Sequence, residues 1–212
     1  MTSIPSLVRD RSNEWLRAQN VPIHPYLPLI GREKLRPAPD VARRIVAQYC
    51  LAGIANDADP KKLLDWLDKE GGIGFLEPSD LASLQQESHT GEQINQLSWA
   101  EEALYMLCWC GKLATQLPSP DQECDLANLF SSIPPEREIA DFIADLSLRD
   151  PDSIVQALDY YYSLHASIVH PELWNGIDPA SVLCIPAVLE RRHALEWISS
   201  PSEGWADIEL NT

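Results

Sequence analysis

No stretch of this chain approaches the roughly 18 uninterrupted apolar residues that a membrane-crossing helix requires, although 45% of its 212 residues are hydrophobic. The opening residues, Met1-Thr-Ser-Ile-Pro-Ser6, lack the basic start, apolar middle and cleavage site of a secretory leader, so a cytoplasmic location is expected. Glycine-rich phosphate loops, Gly-x-Ser-x-Gly elbows, His-Glu-x-x-His zinc motifs and internal repeats are missing too. The absence of a recognisable catalytic motif leans the reading away from an enzyme, and neither a cofactor nor a metal is expected. Cys50, Cys108, Cys110, Cys124 and Cys184 are an odd number without zinc-ligand rhythm. Cys108 and Cys110 sit two apart on a predicted helix and diverge by roughly 200°, so they cannot share a metal ion. Buried free thiols are the expectation.

Positive charge is also scarce. There are 16 Lys and Arg against 32 Asp and Glu, for a net charge of −16. The imbalance is uneven: residues 1–48 carry +4, residues 49–117 carry −7 and residues 118–212 carry −13. Nucleic acid is disfavoured as a partner, because binding it depends on cations that neutralise phosphates. A basic protein would be steered toward such a surface, and the same acidity also serves solubility.

What is present is helical periodicity. The most apolar stretch, Leu97 to Leu117, predicts a central helix that opens on a Ser98/Glu101 capping box and stops before Pro118 and Pro120. Its run from Ala103 to Cys110 is apolar around nearly the whole circumference, as in a helix surrounded by others. Further helices are predicted over 5–19, 41–52 (capped by Asp40, with Arg43 and Arg44 toward solvent), from Asp59-Pro60 to Gly71-Gly72, and over 79–87. The polar run 88–96 reads as a loop. Beyond the central helix, 121–131, 136–148 and Asp150-Pro151 to about Val169 read as helices, and a further segment begins at Asp178-Pro179, is kinked or interrupted by Pro186 and is completed by 187–199. The three prolines between Val21 and Ile30 exclude a helix and favour extended backbone packed across a surface. Trp205 implies that the C-terminal tail docks back on the body. The fold class is therefore all-α: a single domain, 1–212, forming an irregular bundle of about eight to nine helices.

Candidate chemistry comes from ionisable residues on apolar stripes. Arg191 lies among Val188, Leu195 and Ile198 and, if buried, needs a carboxylate partner. His165 follows the stripe Ile154, Leu158, Tyr161 and Ile168, and Glu102 sits at the edge of the central helix's apolar face. Convergence would make Glu102, His165 and Arg191 a buried polar cluster, with Asp159, Glu190 or Asp207 as further members. Such a cluster is either an ion-pair network that fixes helix packing or an enzyme or small-ligand site. Glu190 and His193 have the Glu-x-x-His spacing of a di-iron helix, but the second pair that such a centre needs is missing. Glu138, Asp141 and Asp145 form an acidic stripe, expected to be an outer face.

Several of these segments together resemble the bacterial domain-of-unknown-function family 4272. They are Arg11-Ser12, Pro22-Ile-His-Pro-Tyr-Leu-Pro28, Asp40-Val-Ala-Arg-Arg44, Trp99-Ala-Glu-Glu-Ala-Leu104 and Leu107-Cys-Trp-Cys-Gly111. Asp159-Tyr-Tyr-Tyr-Ser-Leu-His165, Glu190-Arg-Arg-His-Ala-Leu-Glu-Trp197 and Trp205-Ala-Asp-Ile-Glu-Leu-Asn-Thr212 complete the resemblance. It places Glu102 at the family's central tryptophan–glutamate–alanine motif. The tail departs from the family pattern at Ala206 and Asn211, where acidic residues are more usual. The resemblance implies no reaction and no ligand. The functional expectation is a non-enzymatic protein-interaction module with a basic partner, such as a bacterial immunity protein facing a secreted toxin. An enzyme or small-ligand binder built on the polar cluster is the alternative.

Overall fold

Start signals written locally in the chain set most helix boundaries. In the computed structural model, which describes residues 4–31 and 34–212, nine α-helices and no strands occur among the described residues. They are α1 (Ile4–Ala18), α2 (Ala38–Ala55), α3 (Pro60–Lys69), α4 (Pro78–Gln85), α5 (Gly91–Ser98), α6 (Ala100–Cys110), α7 (Ile139–Asp145), α8 (Pro151–Val169) and α9 (Ile185–Ser199). The fold is all-α. Asp59 caps α3 by accepting from the Lys61 N–H, and Asp150 caps α8 by accepting from the Ser153 N–H; each is followed by the proline that suits a first helical position. Pro186 sits in the first turn of α9, where its missing N–H has no helical partner to lose.

The predicted helix over 97–117 is two helices, bent at Trp99, and it is shorter at its far end. The capping box that opens α5 is Thr90 with Gln93, eight residues upstream of Ser98/Glu101. Ser98 Oγ instead donates back to the Asn95 carbonyl, and Glu101 accepts from Asn56. The polar stretch read as a loop is therefore mostly α5. At the other end Gly111 closes α6, and Lys112 turns the chain with a left-handed φ of 62°. Arg149 makes that early stop possible. Its backbone N–H donates to the Cys110 carbonyl and its side chain to that of Trp109, both of which a longer helix would have bonded internally, and it also reaches the carbonyls of Ala114 and Thr115 in the turn that follows. A Cβ at residue 111 would lie 2.8 Å from Leu146 Cδ1, so glycine lets the end of α7 approach.

Two further expectations change. Residues 121–131 form turns with a 3-10 turn at Phe130–Ser132, and the predicted helix over 136–148 shrinks to α7. Asp40 lies inside the first turn of α2 and pairs with Arg43, while Pro37 takes the cap position.

Packing runs from α1 to α8, from α8 to α9, from α9 to α6 and from α6 to α2, with α4, α5 and α7 also on α2. Ala103, Leu104, Met106, Leu107, Cys108 and Cys110 of α6 are sealed from solvent, and so are Ile154, Tyr161 and Leu164 of α8. Each large apolar side chain buried in this way contributes roughly 1.5–3 kcal/mol. Cys50, Cys108 and Cys110 are buried, whereas Cys124 and Cys184 are only half-buried. No helix is long and apolar enough to cross a membrane among the described residues.

Candidate functional site

The structure brings Glu102 and Arg191 together. Helix α9 carries Arg191 into the core, where its Nε donates to Glu102 Oε2 at 2.7 Å. Nη1 donates to the Ser119 carbonyl and the Tyr161 hydroxyl, and Nη2 donates to the Gln122 carbonyl. The other carboxylate oxygen of Glu102 accepts from the Cys124 N–H. Burial alone would lower the Arg191 pKa, but Tyr161 and Glu102 outweigh it and raise the value above the ordinary one. Every guanidinium nitrogen has an acceptor, so the pair ties the irregular segment 118–124 to α6 and α9. It offers no free hydrogen-bond donor to a ligand.

Of the other proposed members, Glu190 lies next to this pair, and His165, Asp159 and Asp207 are bonded elsewhere. His165 is bonded through Nδ1 to Arg192, and burial followed by that cation lowers its pKa to about 4. It is therefore an acceptor, neutral at pH 7. Asp159 is fully buried and accepts from Arg9 Nε and Nη2 at 3.0 and 2.7 Å, which docks α1 on α8. Glu190, beside Glu102, has no hydrogen bond among the described residues, and burial with that neighbouring charge raises its pKa to about 7. Asp207 is exposed and caps the turn at Gly204. His193 packs edge-on against Trp205 at 4.4 Å, away from any metal geometry. No group of three metal-binding side chains occurs among the described residues.

One buried network escaped the sequence reading. Arg44, predicted to face solvent, is 3% exposed. It pairs with Asp80 at 2.5 Å and lies over the Trp205 ring at 4.2 Å, and Gln48, with its amide turned over, offers its oxygen at 2.8 Å. Next to it, Glu77 accepts from the backbone N–H groups of Trp205 and Ala206. The tail docks there. The spacing Val41, Arg44, Ile45, Gln48 is the inward stripe of α2, and that was the available signal.

A common pattern links these arginines. Arg9 donates to the carbonyls of Leu27 and Pro28, so the proline-rich segment is held against α1. Arg36 lies over the Trp197 ring at 3.9 Å and reaches the carbonyls of Trp197, Ser200 and Glu203. Arg192 reaches that of Asn211, in the tail. Each cation thus satisfies backbone acceptors in non-helical chain, which a buried carbonyl needs.

A family model described as Domain of unknown function (DUF4272) matches residues 8–208. The chain belongs to this family. No curated protein and no solved structure matches it. The DUF4272 match contains every charged pair described above, from Arg9 and Asp159 to Glu102 and Arg191, and stops short of Asn211. In this DUF4272 chain the buried charges hold loops on helices.

The accessible carboxylates are elsewhere. Glu138, Asp141 and Asp145 are all exposed, as are Asp121, Glu123, Asp125 and Glu136 before them. Arg137 is the sole cationic residue between Leu113 and Leu148, and it is bonded to Asp145.

Proposed function

We propose that this protein is a non-enzymatic interaction module that presents an acidic face to a basic protein partner. A bacterial immunity protein that captures a secreted toxin in the cytoplasm is the model for such a role. Neither nucleic acid nor a membrane is a partner in this reading. One observation carries it: the carboxylates buried in the helical body are engaged by arginines or withdrawn from solvent, while those from Asp121 to Asp145 face solvent almost without counter-charge. An uncompensated field of one sign accelerates encounter with the opposite sign.

The test is association kinetics with a basic protein encoded beside the gene. The association rate should fall steeply as salt rises, with little change in dissociation. The triple change Glu138→Gln, Asp141→Asn and Asp145→Asn should slow association at low salt. A rate indifferent to both salt and these substitutions would count against the reading.

A further inference from the structure

The segment that carries the acidic face also leaves one large ring uncovered. Leu126 and Leu129 point inward and are 7% and 4% exposed, but Phe130 is 44% exposed. Its ring stands 6.3 Å from Tyr49, and Tyr49 stands 6.2 Å from Trp66, both in edge-on geometry. Two hollows of about 490 and 470 Å³ share Tyr49 and Ala58, with Phe130 on the first and Trp66 on the second. Ala52, Gly53, Leu104, Leu126 and Ala127 line the first, while Leu63, Trp66 and Pro135 line the second.

The edge of this groove is anionic. Glu101 and Asp125 border the first hollow, Asp57 and Asp59 the second, and Lys62 is the only cation among the lining residues. Glu101 and Asp125 each accept one bond from their own chain, from Asn56 and the Ala127 N–H, and keep a second oxygen open. Apolar hollows about the size of one or two side chains, walled by aromatic faces and edged by carboxylates, select an apolar residue flanked by cations.

We propose that this groove is where the basic partner docks, through an extended segment that alternates an aliphatic or aromatic residue with arginine. The proposal rests on the interaction reading above and names its contact point. The apolar side chain fills the hollow over Gly53 and Leu104, while the arginine lies on the face of Phe130 or Tyr49 and meets Asp125 or Glu101. Charge along 121–145 speeds the encounter, and burial in the groove sets how long the complex lasts.

Three peptides titrated into the ¹⁵N-labelled full chain test this: one alternating arginine with leucine, a hexalysine, and one alternating serine with leucine. The arginine–leucine peptide should saturate with shifts at Tyr49, Trp66 and Phe130. Its Kd should weaken by about tenfold or more in Phe130→Ser and in Ala127→Arg, which blocks the hollow from an exposed position. Hexalysine should shift residues 136–145 equally in wild type and both variants, whose thermal midpoints should match the wild type. Equal affinity of the arginine–leucine peptide for wild type and both variants would overturn the groove assignment and leave the acidic reading standing. Binding by neither cationic peptide would overturn both. Equal binding by the serine–leucine peptide would overturn the charge selection. Self-association of the unliganded chain that is lost in Phe130→Ser would give the groove to a second copy, also against the proposal.

Discussion

Arg191 Nε and Glu102 Oε2 meet at 2.7 Å, with side chains 0% and 3% exposed, across the contact between α9 and α6. The pair is the only direct ion pair between those two helices among the described residues. Removing one partner strands a buried charge, an effect of about 3–5 kcal/mol. Arg191→Met should lower stability by that amount in denaturant unfolding. Because Arg191 also holds the carbonyls of Ser119 and Gln122, hydrogen exchange should rise across 119–124 before global unfolding. Glu102→Gln keeps an acceptor for the Cys124 N–H, so its exchange increase should be smaller.

Glu190 has the opposite character, a half-buried carboxyl without a hydrogen-bond partner among the described residues. Its folded pKa of about 7 lies above that of the unfolded chain. The folded state therefore holds the proton more tightly, and the stability this contributes is present at low pH and lost as pH rises through 7. Glu190→Gln should match the wild type near pH 4 and be more stable than it at pH 8. Equal stabilities at both pH values would remove Glu190 from the pH balance.

Histidines 165 and 193 run the other way. Burial, followed by Arg192 for one and Arg44 for the other, lowers both pKa values to about 4. The unfolded chain binds their protons more readily, so the stability they contribute is present above pH 6.5 and lost as pH falls toward 4. NMR titration should show both imidazoles neutral at pH 5.5. A midpoint near 6.5 for His165 would place its ring in solvent, free of Arg192.

The tail should detach as a unit. Glu77→Ala removes the acceptor for two backbone N–H groups and should cost about 1–3 kcal/mol. It should also red-shift the Trp205 fluorescence, as the indole leaves His193, Trp197 and Arg44 for water. Single-tryptophan variants that retain Trp205 make that emission readable.

Which features were legible in the sequence follows from the range of the interactions. Asp59-Pro60 and Asp150-Pro151 start helices because cap and first turn are neighbours in the chain. Arg191 was recognisable as a cation on an apolar stripe, which demands a carboxylate wherever it lies. The box at Ser98/Glu101 failed because the same four-residue pattern occurs at Thr90/Gln93, and local chemistry cannot rank the two. Helix α6 ended early because Arg149, far along the chain, takes over its last carbonyls.

The sequence by itself determined an all-α chain with charge concentrated toward its C-terminal part, because helical period and composition are local properties. Only the tertiary structure decided the pairings: Glu102 with Arg191, Asp159 with Arg9, His165 with Arg192, and Arg44 with Asp80 and Trp205. Each joins residues at least 27 positions apart, and the choice among several cations and carboxylates is made by which helices pack together. The groove at Phe130, Tyr49 and Trp66 arises in the same way, from three segments that meet only after the core has closed.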